Sequence, residues 1–190
     1  IRLNNRRDWF QAHKDVYTAH VYQPMKDLAE QVWAAMRKAY PDLYLDCKVA
    51  RIYRDVRRLH SGGPYKEHLW FVLRQYCEDW SSRPAFYFEL SPEGYECGMG
   101  YYWARPATMA AFRRELLERP EEMRVLAQAL DRQKRFRLEG EEYKRPKPGT
   151  EQVDEVLRPW FNRKGVALSH FHGPDKAVTS PGLAARLVKD

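Results

Sequence analysis

The apolar residues change period twice along this chain, and that change limits its fold more than any other feature. Met25, Leu28, Ala29, Val32 and Met36 recur at helical spacing on one face after Pro24, and Pro41 ends the stretch. From Lys48 to Trp103 the period is two, the mark of strands whose neighbours point to opposite faces. Strands are expected at Lys48–Asp55, His68–Tyr76, Pro84–Ser91 and Tyr95–Trp103, with Pro92, Glu93 and Gly94 making a short hairpin between the last two. Helical spacing returns after Pro106, through Met109, Phe112 and Leu116, then Met123, Leu126, Ala127 and Leu130. Helices, a run of strands and helices again specify α+β with a mainly antiparallel sheet, not alternating βαβ units. We read one domain over 1–190: N-terminal helices at 4–40, sheet at 48–103, helices at 107–133, a basic loop at 135–149 and a helix-strand-helix ending at 150–190. Asn4 and Asn5 are read as caps for a first helix carrying Trp9, Phe10 and His13.

Alternation sorts the strand residues by face. Ala50, Ile52, Leu69, Phe71, Leu73, Phe86, Phe88, Leu90, Tyr95, Cys97, Met99, Tyr101 and Trp103 are assigned to the core side. The opposite face gathers Arg51, Tyr53, Lys66, His68, Trp70, Tyr87, Glu89, Glu96 and Tyr102. A half-wet antiparallel sheet often carries such polar residues with no further role. The sharper alternative is a ligand site in which cations hold an anion and aromatics wall it.

The segment from Arg54 to His68 favours the sharper reading. Arg54, Arg57, Arg58 and Lys66 surround a Gly62-Gly63-Pro64 turn, where glycines allow backbone N–H groups to converge on an anion. The spacing of a phosphate-binding P-loop is absent. A second basic group, Arg132 to Lys147, lies among Gly140, Pro146, Pro148 and Gly149 and reads as a solvated loop. The net charge of +7 permits an anionic partner. The site is therefore assigned to Arg51, Arg54, Arg57 and Lys66 on the anion, with Tyr65, Trp70 and Tyr102 as walls and His68 as the candidate for proton transfer. A small anionic or phosphate-bearing ligand is the expected partner, and catalysis is not assigned. The alternatives are a nucleic-acid binder using the same arginines, for which no RNP, KH or helix-turn-helix signature is present, and a protein-protein interaction module docking through the aromatic face.

Three ordered motifs carry a family resemblance: Asn4-Asn5-Arg6-Arg7-Asp8-Trp9-Phe10, then Arg51-Ile52-Tyr53-Arg54-Asp55-Val56-Arg57, then Pro64-Tyr65-Lys66-Glu67-His68. Together they resemble a bacterial family of uncharacterised proteins, domain of unknown function 2461, from Asn4 to about Leu130 and more loosely beyond. The resemblance implies a single-domain, cytoplasmic α+β protein and no assigned activity. Members of that family usually place a Ser-Lys-Asp-Lys-like run before the third motif, where this chain has Leu59-His60-Ser61-Gly62-Gly63. A ligand served by those lysines would here fall to Arg54, Arg57 and Lys66.

Other groups weigh less. Cys47, Cys77 and Cys97 show no CxxC or zinc-ribbon spacing and read as reduced packing cysteines. His170 and His172 share one face of a C-terminal strand, but no third ligand stands nearby in sequence, so neither a metal nor a cofactor is expected. Glu89 and Glu96 flank the hairpin, and ion pairs with Arg51 or Lys66 are expected for them. Ser61 has no evident base. No run of apolar residues is long enough for a membrane helix, and the polar first residues carry no signal-peptide pattern, so a cytoplasmic location is expected.

Overall fold

A computed structural model of the chain describes residues 1–55, 63–79, 82–101 and 103–190. The architecture is α+β: a six-stranded antiparallel sheet in the order β1-β2-β3-β4-β6-β5, with helices at both ends of the chain. The strands are β1 (Leu45–Val49), β2 (Leu69–Gln75), β3 (Ala85–Ser91), β4 (Gly94–Gly100), β5 (Arg137–Glu139) and β6 (Ala167–His172). The helices are α1 (Arg7–Ala12), α2 (Lys14–Tyr17), α3 (Gln23–Ala39), α4 (Pro106–Glu118), α5 (Pro120–Gln133), α6 (Arg158–Phe161) and α7 (Leu183–Lys189). Among the described residues no helix is long and apolar enough to cross a membrane. The contacts divide the chain into two compact units: Ile1–Tyr76 with Tyr87–Cys97 and Phe171–Asp190, and Cys77–Phe86 with Gly98–His170.

In the first unit α3 presents Met25, Ala29, Val32 and Met36, all buried, as their spacing predicts. The helix begins at Gln23 with Pro24 in its first turn, as the sequence predicts. A π-helical turn, Thr18–Tyr22, leads into it. Pro24 has no N–H to give the carbonyl one turn back and its ring crowds that carbonyl, so the widened turn accommodates it. The Trp33 indole donates to the Leu45 carbonyl at 2.8 Å, tying α3 to β1. Beyond them Leu69, Phe71 and Leu73 of β2 are buried with Phe88 and Tyr95, and Phe71 stacks on Phe88 at 5.5 Å between ring centroids. None of the three cysteines is in a disulfide, and burial pushes the Cys47 thiol up to about 11.

The second unit has an aliphatic and aromatic core of its own. Met109 and Leu116 from α4, Ala127 from α5, and Val153, Leu157, Trp160 and Phe161 from the segment leading into β6 are buried together. Leu126, expected on the buried side of α5, is 59% exposed. The single helix expected around Val153–Trp160 is two 3-10 turns followed by the short α6, with the Asp154 carboxylate accepting from the Val156 N–H. Trp103, also assigned inward, is exposed.

Candidate functional site

The expected strand Lys48–Asp55 lies earlier, at Leu45–Val49, and the residues after Val49 build the site. β1 pairs with β2 in regular register, Leu45 opposite Gln75 and Val49 opposite Phe71. The Ala50 N–H continues the ladder to the Trp70 carbonyl at 2.8 Å. Pairing resumes at an isolated bridge, Tyr53 opposite Tyr65, flanked by Lys66 N–H to Ile52 carbonyl and Arg54 N–H to Pro64 carbonyl. Three steps from Ala50 to Tyr53 thus face five from Trp70 to Tyr65, so two extra residues bulge from the second strand. That bulge covers Lys66 to Leu69 and sets Lys66, Glu67 and His68 off the regular ladder.

Asn5 holds the bulged strand in place. Its side-chain amide donates to the Tyr65 carbonyl at 2.9 Å and its oxygen accepts from the Tyr65 N–H at 3.0 Å, in the manner of a neighbouring strand. The expected helix cap is therefore not its role, and α1 starts after Arg6 without a side-chain cap. Gly63 is required beside it, because a Cβ there would stand 2.2 Å from the Asn5 Cγ. Behind this clamp Phe10, Ile52 and Tyr65 form a buried cluster, with the Phe10 and Tyr65 rings 4.2 Å apart. Tyr65, expected as a wall, is only 2% exposed and supports the site through this packing.

In front of it lies a cleft of about 510 Å³ lined by Arg2, Arg54, Lys66, Glu67, His68, Ser91, Pro92 and Glu93. Three residues assigned from sequence, Arg54, Lys66 and His68, meet there. The Arg54 Nε donates to the Tyr65 carbonyl at 2.8 Å, which fixes the guanidinium. Lys66 extends over the Trp70 ring, Nζ 4.3 Å from its centroid, and donates to the Arg51 carbonyl at 2.7 Å. Trp70 is thus a platform for the lysine ammonium. Burial, and then the charges of Arg51 and Arg54, hold the Lys66 ammonium below the ordinary lysine value. Among the described residues no carboxylate forms an ion pair with Arg51, Arg54 or Lys66. Arg57 and Tyr102 lie outside the described residues, as do the four residues before Gly63 in the family-divergent run.

The acidic groups find other partners than those expected. Glu89 sits 3.4 Å from the His68 Nδ1, and that imidazole makes an edge contact with Trp70. Glu96 accepts from the Tyr87 hydroxyl. Glu67 and Glu93 both bind Arg2, each at 2.6 Å, and the hydrogen bond from Arg2 holds the Glu93 carboxyl below the usual carboxylate range. Arg2, Glu67 and Glu93 escape sequence reasoning because only the fold brings residue 2 beside the β3–β4 hairpin. His170 and His172 pack separately, His170 against Phe136 and His172 against Tyr95.

The chain is thus an α+β protein with a bulged antiparallel strand pair beside a cleft lined by both cations and carboxylates. The chain belongs to the conserved hypothetical protein family of domain of unknown function 2461, whose model matches residues 1–190. No curated protein and no solved structure matches it.

Proposed function

We propose that the cleft binds a small anionic ligand, with a phosphate or similar oxyanion group held by Arg54 and Lys66. The observation that carries this reading is the crowding of Lys66. Its ammonium is partly desolvated and repelled by Arg51 and Arg54, with no carboxylate paired to any of them among the described residues. An arrangement of like charges costs stability unless something of opposite sign occupies it. The guanidinium of Arg54, already anchored through Nε, offers its remaining N–H groups for an oxyanion. Trp70 acts through Lys66, whose ammonium lies over its ring, and Ser91 and Pro92 line the side at the hairpin. His68, paired with Glu89, is the group in the cleft suited to exchange a proton with a bound ligand.

The test is a calorimetric titration of the full chain with inorganic phosphate, pyrophosphate and a nucleoside monophosphate. At least one should bind with one-to-one stoichiometry, and the double variant Arg54→Gln/Lys66→Gln should lose that binding while remaining folded by circular dichroism. Equal binding by wild type and double variant would overturn the reading. Retention on mixed oligonucleotides that weakens steeply with salt, with no small-anion binding, would transfer the cleft to nucleic acid.

A further inference from the structure

Three residues far apart in sequence meet at the C-terminal end of the first unit. Cys97 lies on β4, His172 ends β6, and Asp190 comes directly after α7. One ligand atom from each lies within 4.8 Å of the other two. We propose that Cys97, His172 and Asp190 form a binding site for a divalent metal ion of zinc type, which fastens α7 to the sheet.

Thiolate sulfur, imidazole nitrogen and carboxylate oxygen are the donor set that a borderline cation such as Zn²⁺ prefers. Tetrahedral zinc with bonds of about 2.0–2.3 Å holds its donors roughly 3.3–3.8 Å apart. The three side chains therefore need to close by only about an ångström, which side-chain rotation supplies. A thiolate and a carboxylate together balance the charge of the ion, so the bound site is neutral. Three protein ligands leave a fourth position for water.

The surroundings hold this geometry independently. Gly94 has φ +143°, and a Cβ there would stand 2.0 Å from the His172 carbonyl oxygen, so only glycine lets β4 approach β6 at this point. The His172 ring stacks on Tyr95 with centroids 4.5 Å apart and planes 12° from parallel, which fixes the imidazole plane. Cys97 is buried, and buried Leu183 anchors the start of α7. The Tyr95 hydroxyl is buried with no hydrogen-bond partner among the described residues, and its residue is only 2% exposed. A buried hydroxyl without a partner is costly, and a metal-bound water would supply one. Opposing the ion is Arg186, whose Nη2 lies 3.3 Å from the His172 Nδ1. Metal on the other ring nitrogen leaves Nδ1 carrying its proton, so Arg186 has to withdraw and competes with the ion.

Cobalt titration of the reduced, chelator-treated full chain tests this. The expected result is one Co²⁺ per chain with a thiolate-to-cobalt charge-transfer band, displaced by Zn²⁺, and a higher melting temperature with zinc. His172→Ala and Asp190→Asn should each weaken binding at least about tenfold, and Arg186→Gln should tighten it. Cys97→Ser should abolish the band, while Cys47→Ser/Cys77→Ser, which leaves this site intact, should keep it. Absence of the band in the wild type, or its loss in the Cys47→Ser/Cys77→Ser variant, would overturn the proposal, as would unchanged affinity in His172→Ala.

Discussion

The two basic regions of the chain look alike in composition and differ in what their cations touch. Around 137–164 the cations used by the fold each have a partner. Arg113 donates to the carbonyls of Phe161 and Arg163, Arg163 pairs with Glu142 and Lys164 with Glu141, and Lys147 lies over the Tyr143 ring. Arg132, Lys134, Lys144 and Arg145 stand exposed, where water solvates them. The stretch expected as a solvated basic loop is thus pinned, with β5 paired to β6 and Asn162 holding the Lys147 N–H. In the cleft Arg2 is paired with Glu67 and Glu93, and two other cations are not so paired. Arg54 and Lys66 are half-buried and share carbonyls and a ring, but no carboxylate among the described residues pairs with them. Charge count does not distinguish the two regions; the partner of each charge does.

That contrast can be broken at several levels. The largest effect is expected from Phe10→Ala, which removes the ring packed behind Tyr65 and should cost about 3–5 kcal/mol of stability, read by urea denaturation. It should also abolish anion binding, since the cleft's rear support goes with it. Asn5→Ala should cost about 1–3 kcal/mol, because it leaves the Tyr65 N–H and carbonyl without their clamp. Amide hydrogen exchange should then rise at Tyr65 and Lys66 before it rises elsewhere in the sheet. The finest probe sets Lys66→Gln against Lys147→Gln in phosphate titrations. The first should weaken binding about tenfold, the loss of roughly one charge-assisted hydrogen bond, and the second should leave it unchanged. Equal effects would dissolve the distinction between the two regions.

Periodicity carries much of the fold. The buried sides of α3 and β2, the inward Ala50 and Ile52, and the hairpin at Pro92 all follow from spacing, because a buried face repeats with its element. The bulge does not, since Asn5 and Phe10 impose it from a distant part of the chain. Tyr65 is expected among the site walls from its place in the Arg54–His68 motif, whereas alternation puts it on the side of Leu69, Phe71 and Leu73, where its ring lies. The strand Leu45–Val49 is hidden for a local reason: only Leu45 is fully buried in it, and Asp46 and Lys48 are exposed. Of the candidate site, Arg54, Lys66 and His68 are legible as a motif. Arg2 and Glu93 are not, because their ion pair joins chain positions that no local pattern links.

NMR titration of the Lys66 side chain with and without saturating phosphate reads whether Lys66 is held for an anion, as proposed. The free protein should show a pKa below the ordinary lysine value, because burial and two guanidinium groups penalise the ammonium. An anion that binds the charged form must raise that pKa, and its affinity must fall as pH climbs through the lowered value. A Lys66 that titrates as an ordinary lysine, or that phosphate leaves unmoved, would contradict the account.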